Sequence, residues 1–162
     1  MEPWDESVLD ELCALLPPKQ AADARDFLDH NEFGLAFETA VDHLSEEHVP
    51  ITAALRTRVA ATAAHSRRVL DGLRFCPDAD QPRWRVVEDT WEGLEIEERL
   101  PSPRDVAWLA CNRCPEVLFR FDSHAAMMGK VPYRCGILGA DGGITELASG
   151  QDLLARLERC WA

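Results

Sequence analysis

Cys111-Asn112-Arg113-Cys114 is the segment whose residue types and spacing most directly suggest chemistry. Two thiolates two residues apart can chelate one zinc ion, because a tight turn aims both sulfurs at one point. A closed structural site needs two further ligands, and the chain holds no second pair of this spacing. His124 and Cys135 would complete a three-cysteine, one-histidine set, at unusual separations. The plainer reading is a turn whose cysteines lie close together, so neither a metal nor a cofactor is expected. A redox pair would want a strand-to-helix turn within a βαβ pattern, which is absent.

Other catalytic patterns fail on spacing. His30-Asn31-Glu32 together with Cys111 and Cys114 has the components of a zinc deaminase. However, Ala110 stands where a proline belongs, and the two pieces are too far apart for adjacent helices. His43 and His48 are five apart, whereas two histidines sharing zinc on one helix face are four apart. No Gly-x-Ser-x-Gly elbow occurs, and Gly136, Gly139, Gly142 and Gly143 suit a hairpin better than a phosphate loop. The chain is therefore expected not to be an enzyme. Six cysteines without a secretory leader argue against a disulfide framework and for small buried apolar side chains.

Charge narrows the choice further. Seventeen basic and 29 acidic residues give a net charge of −12, the wrong sign for affinity built on phosphate contacts. Direct nucleic-acid binding is not expected. Residues 1–50 hold thirteen acids against Lys19 and Arg25, and residues 51–75 reverse the sign with five arginines against Asp71. The N-terminus lacks a basic region and an apolar stretch, and no apolar run approaches the roughly 18 residues of a membrane span. A cytoplasmic protein with no membrane association is expected.

The elements that must position these residues fall into two parts, an all-helical domain over 1–75 and an α+β domain over 84–162. Val8, Leu9, Leu12, Leu15 and Leu16 repeat at helical spacing until Pro17-Pro18. Further helices are predicted at about 19–30, 32–48 and 51–73, which makes a four-helix unit. Residues 76–83, with two prolines and two acids, read as a linker. Beyond it, short strands are predicted at 84–87 and 94–96, a helix at 103–112, and a strand at 117–121. A hairpin follows over 133–147, then a helix opened by Ser149 and Asp152 that buries Leu153, Leu154, Leu157 and Trp161. The overall class is α+β.

On the third helix, Leu35, Glu38, Asp42, Ser45 and Glu46 share one face, opposite an apolar stripe of Phe33, Phe37, Val41 and Leu44. Asp26, Asp29 and Glu32 extend the acidity into the preceding helix and turn. Acids in successive helical turns repel each other, and no lysine relieves them here. Such a face serves either as a solvated surface or as a docking surface for a basic partner. On the docking reading, Asp29, Glu32, Leu35, Glu38, Asp42 and Glu46 bind the partner, and Glu38, Asp42 and Glu46 are exposed.

The stretch Phe27-Leu-Asp-His-Asn-Glu-Phe-Gly-Leu-Ala-Phe-Glu-Thr-Ala-Val-Asp-His-Leu44, followed by Val49-Pro-Ile-Thr52, resembles the helical core of MafI-type immunity proteins from bacterial polymorphic toxin systems. Glu32, Gly34, Ala36, Glu38 and Asp42 carry the resemblance, which covers about residues 5–75 and leaves 76–162 outside it. It implies an immunity protein, or antitoxin, that binds and neutralises a cognate toxin protein, a basic enzyme of nuclease or deaminase type. The alternative is a metal-binding or enzymatic role for the second domain, using Cys111 and Cys114. A third reading is a housekeeping dimer with a merely solubilising acidic face.

Overall fold

Helix α1, Glu6–Ala14, begins where the Asp5 carboxylate accepts a hydrogen bond from the Ser7 amide at 3.0 Å. That oxygen satisfies one of the donors that every helix start leaves unpaired. Proline at its first position opens α2, Pro18–Asp29, where a missing N–H costs nothing. Next comes α3, Phe33–Glu46, and Thr52 caps α4, Ala53–Thr62, through the Leu55 amide at 3.2 Å. The computed structural model describes residues 4–162. Its chain divides into two compact units, Met1–Pro82 and Arg83–Ala162.

The helix predicted over 51–73 is two helices. Ala63 leaves helical geometry (φ −103°, ψ 28°), and Ser66 caps a new helix, α5, Arg67–Leu73, through the Val69 amide at 3.3 Å. Among the described residues the first unit therefore has five helices rather than four. The break turns α5 against α3, where a side chain at Gly72 would meet Val41 Cγ1 at 2.8 Å. Leu9, Leu12, Ala24, Phe37, Val41, Leu44, Val59 and Val69 form the shared core, with Trp4 against Phe37 at a ring separation of 5.2 Å.

The expected linker begins later than its composition suggests. Cys76 is buried in the helical core. The Ile51 amide donates to Pro77 O and the Ala79 amide to Ile51 O, both at 3.0 Å. Arg56 adds hydrogen bonds to Leu73 O and, at 2.7 Å, to Cys76 O. Prolines and acids mark a surface turn here, but its backbone groups are paired within the first unit.

The second unit is built on a five-stranded antiparallel meander. Strands β1 (Trp84–Val86), β2 (Val106–Cys111), β3 (Val117–Arg120), β4 (Cys135–Leu138) and β5 (Ile144–Glu146) lie in chain order across the sheet. Helices α6 (Trp91–Glu97) and α7 (Ser123–Met127) lie in the β1–β2 and β3–β4 connections, and α8 (Leu153–Leu157) and a 3-10 turn, Arg159–Trp161, follow β5. Register sorts the side chains by face. Ala107 with Phe119, and Ala110 with Val117 and Leu138, pack against Val87 and Ile96 on the side covered by α6. Leu109, Leu118 and Ile137 occupy the other face, and α8, with Leu154 and Leu157 buried, packs against β3.

Local expectations are corrected at three places. Residues 94–96 lie in α6, because the Thr90 hydroxyl accepts from the Gly93 amide at 3.0 Å and starts a helix. Residues 106–111 form β2, not a helix. The Ser102–Asp105 motif that reads as a helix cap instead closes a turn, with the Ser102 amide on Asp105 Oδ2 at 3.1 Å. Asp105 Oδ1 accepts from the Asp122 amide at 3.0 Å, so this buried carboxylate fastens the entry of β2 to the end of β3. The final helix is capped by Asp152 rather than opened at Ser149. Leu153 and Trp161 are only half-buried.

Candidate functional site

In the helical unit, the acids expected to face a partner separate into two groups. Asp29, Glu32 and Glu46 are exposed, as is Leu35 at 44%. Among the described residues, no arginine or lysine forms an ion pair with these three carboxylates. Glu38 and Asp42 differ. Both are half-buried, contrary to the expected exposure, because α5 lies alongside them. The Ser66 hydroxyl donates to Glu38 Oε1 at 2.8 Å, and the Arg68 guanidinium makes a two-pronged contact with the Asp42 carboxylate. That contact raises the Arg68 pKa further. The break at residues 63–66 thus supplies the cation that α3 lacks along its own length.

His30 stands at the corner between α2 and α3. Its Nδ1 lies 2.9 Å from Asp26 O, and that hydrogen bond, aided by Asp26, Glu32 and Asp29, raises its pKa above the ordinary histidine value. The corner is therefore a small field of negative potential open to water.

The second unit assembles a different group. Cys111 ends β2, and Cys114 sits in the connection to β3, closed by the Cys111 amide on Glu116 O at 3.0 Å. Arg156 donates to Glu116 Oε2 at 2.9 Å and Arg159 lies 3.9 Å from Oε1, which ties α8 and the 3-10 turn to this connection. Cys160 arrives as a result, with its Sγ 3.2 Å from that of Cys111. The sulfurs of Cys111, Cys114 and Cys160 all lie within 4.8 Å of one another. Arg113 places its guanidinium over the Trp161 ring, 5.6 Å from the centroid.

Polarity within the cluster is uneven. Burial pushes the Cys111 thiol up, but hydrogen bonds outweigh it: from the Arg113 amide (3.4 Å to Sγ), from Cys160 and from Cys114. The net shift is downward. Cys160 is pushed up to about 12 by desolvation and by its hydrogen bonds to Cys111 and Cys114. The two thiols are thus shifted in opposite directions. Such a trio can hold a soft metal ion.

The ligands expected to complete the Cys111–Cys114 pair are not those that do. His124 is exposed on α7 and Cys135 begins β4, and neither joins the cluster. Cys160 lies 46 residues beyond Cys114, with no metal-ligand spacing to announce it. Its only sequence signal is its place one turn past an amphipathic helix whose Arg156 and Arg159 seek an acid. Comparison with protein-family models, with curated proteins and with solved structures finds no match in any of the three.

Proposed function

We propose that this chain is an immunity protein, which binds a cognate toxin and blocks its active-site cleft. The observation that carries the reading is the acidic rim of the helical unit. Asp29, Glu32, Leu35 and Glu46 are exposed, and among the described residues no arginine or lysine pairs with the three carboxylates. Unit Met1–Pro82 contains sixteen acidic and seven basic residues, while the remaining residues contain thirteen and ten. Negative potential concentrated on one unit steers a basic partner toward it and speeds encounter. The resemblance of residues 27–52 to MafI-type immunity proteins agrees in kind, since a nuclease or deaminase presents a basic substrate cleft. Among the described residues, no helix is long and apolar enough to cross a membrane.

Glu38 and Asp42 have a second role in this reading. They hold α5 against α3, so the rim that meets the partner is Asp29, Glu32, Leu35 and Glu46. The test uses the polypeptide encoded by the adjacent gene, expressed alone and together with this chain. Co-expression should relieve its toxicity, and the purified pair should associate with a rate that falls steeply with salt. Replacing Glu32 and Glu46 together by lysine should slow association about tenfold or more at low salt. It should leave the helical circular dichroism intact, since exposed substitutions usually change stability by about 0.5 kcal/mol or less. Undiminished toxicity on co-expression, or equal association by the double variant at every salt concentration, rejects the reading.

A further inference from the structure

We propose that Cys111, Cys114 and Cys160 form a binding site for one thiophilic metal ion, zinc(II), whose fourth coordination position opens to water or a small exogenous ligand. The inference does not depend on a toxin partner. The spacing of Cys111 and Cys114 reads most plainly as a turn with close cysteines and no metal, with His124 and Cys135 as the completion it offers; the structure brings Cys160 to the pair instead.

Geometry is the first support. Zinc bound to thiolates at about 2.3 Å in a tetrahedral site sets its sulfurs about 3.8 Å apart. Here the sulfurs of Cys111 and Cys160 are 3.2 Å apart and all three fall within 4.8 Å. Side-chain rotation of well under an ångström per sulfur closes the set on one ion. The backbone already arranges a ligand-holding turn, with the Arg113 amide donating to Cys111 Sγ. A hydrogen bond of this kind orients the sulfur and stabilises the charge it carries as a ligand.

Electrostatics and access complete the case. Three thiolates on a dication leave one net negative charge, and Arg113 and Arg159 flank the site to offset it. Glu116 is the nearest carboxylate, with Oε2 4.0 Å from Cys114 Sγ, but Arg156 and Arg159 engage it. It is therefore not free to serve as the fourth ligand. An open pocket of about 280 Å³ adjoins Cys114 and Cys160, so solvent reaches the vacant side. A site with three protein ligands and one open position is the arrangement that leaves zinc able to take up a further ligand. Binding converts the thiols to thiolates, and their protons pass to solvent.

The test uses the full-length protein, kept reduced by a non-chelating phosphine and freed of metal. Zinc is titrated in competition with a chromophoric chelator, and cobalt(II) is added separately as a spectroscopic probe. One equivalent of zinc should bind, and cobalt should show thiolate-to-metal charge transfer with the intense visible bands of a tetrahedral site. Cys160→Ser should weaken zinc binding about 100-fold or more, whereas Cys135→Ser should leave it unchanged. As a measurement free of variants, zinc should protect Cys111, Cys114 and Cys160 of the wild-type chain from alkylation and leave the other cysteines unaffected. Failure of the reduced protein to bind zinc more tightly than about millimolar overturns the proposal. Equal affinity in the Cys160→Ser variant, or protection that omits Cys160, does the same.

Discussion

Cys13 and Cys76 of the helical unit and Cys111 of the sheet unit occupy opposite environments. Cys13 and Cys76 of the helical unit each sit within the apolar core, where burial raises their pKa, that of Cys76 to about 11. In the sheet unit, Cys111 is just as well hidden from solvent, yet its pKa falls. The difference lies in what surrounds the sulfur. Helix-packed cysteines meet side-chain carbon and, at most, a carbonyl oxygen 4.0 Å away. Cys111 meets a backbone N–H and two more thiols, because a hairpin connection leaves amides unpaired and aims them inward. Burial alone makes a cysteine inert, and donors are needed to make it a ligand.

Phe37→Ala removes a fully buried ring at the centre of the helical core and should cost about 3–5 kcal/mol in urea unfolding. In the sheet unit, Arg156→Met should cost about 2 kcal/mol, because it leaves Glu116 only 18% exposed and short of its main partner. The equivalent deletion in the helical unit, Arg68→Met, should cost much less, since Arg68 is 65% exposed and water substitutes for it. If both arginine deletions cost the same, burial is not what distinguishes the two ion pairs.

Reactivity gives a finer comparison. In reduced, metal-free protein, mass spectrometry after brief iodoacetamide treatment should find Cys111 modified faster than Cys13 and Cys76, whose thiols burial pushes up. Equal rates for these three cysteines would show that the hairpin amides do not favour the thiolate at Cys111. The smallest effect concerns His30. Its raised pKa means that the neighbouring hydrogen bond and carboxylates stabilise the folded state when the ring is charged. That contribution is fully present below the unfolded histidine value near 6.5 and is lost as pH rises through the folded value. An NMR titration should place His30 above an unperturbed histidine, and Asp29→Asn with Glu32→Gln should lower it part of the way. The hydrogen bond to Asp26 O would sustain the rest.

The same physical contrast governs how much of the molecule was legible in its residues. Helices α1 to α3 follow from apolar spacing and two prolines, since each buries one face and exposes the other. Strand β2 is not legible that way. Ala107, Trp108, Leu109, Ala110 and Cys111 are all buried, because the sheet is covered on both faces and alternation disappears. The Ser102–Asp105 motif offered a helix start of equal local quality, and only the pairing of β2 with its neighbours decided between them.

Within the candidate sites, the exposure of Asp29, Glu32, Leu35 and Glu46 was contained in the helical period. The pairing of Asp42 with Arg68 was not, because it depends on where one long helix breaks in two. Cys111 and Cys114 announced themselves by spacing, a local property that a turn enforces whatever the rest of the chain does. Cys160 did not. Its sulfur reaches theirs only after β3, β4 and β5 have paired, α8 has packed on β3, and Arg156 has found Glu116. Local chemistry is written in neighbouring residues, and the third sulfur is set by contacts made between 40 and 49 residues apart along the chain.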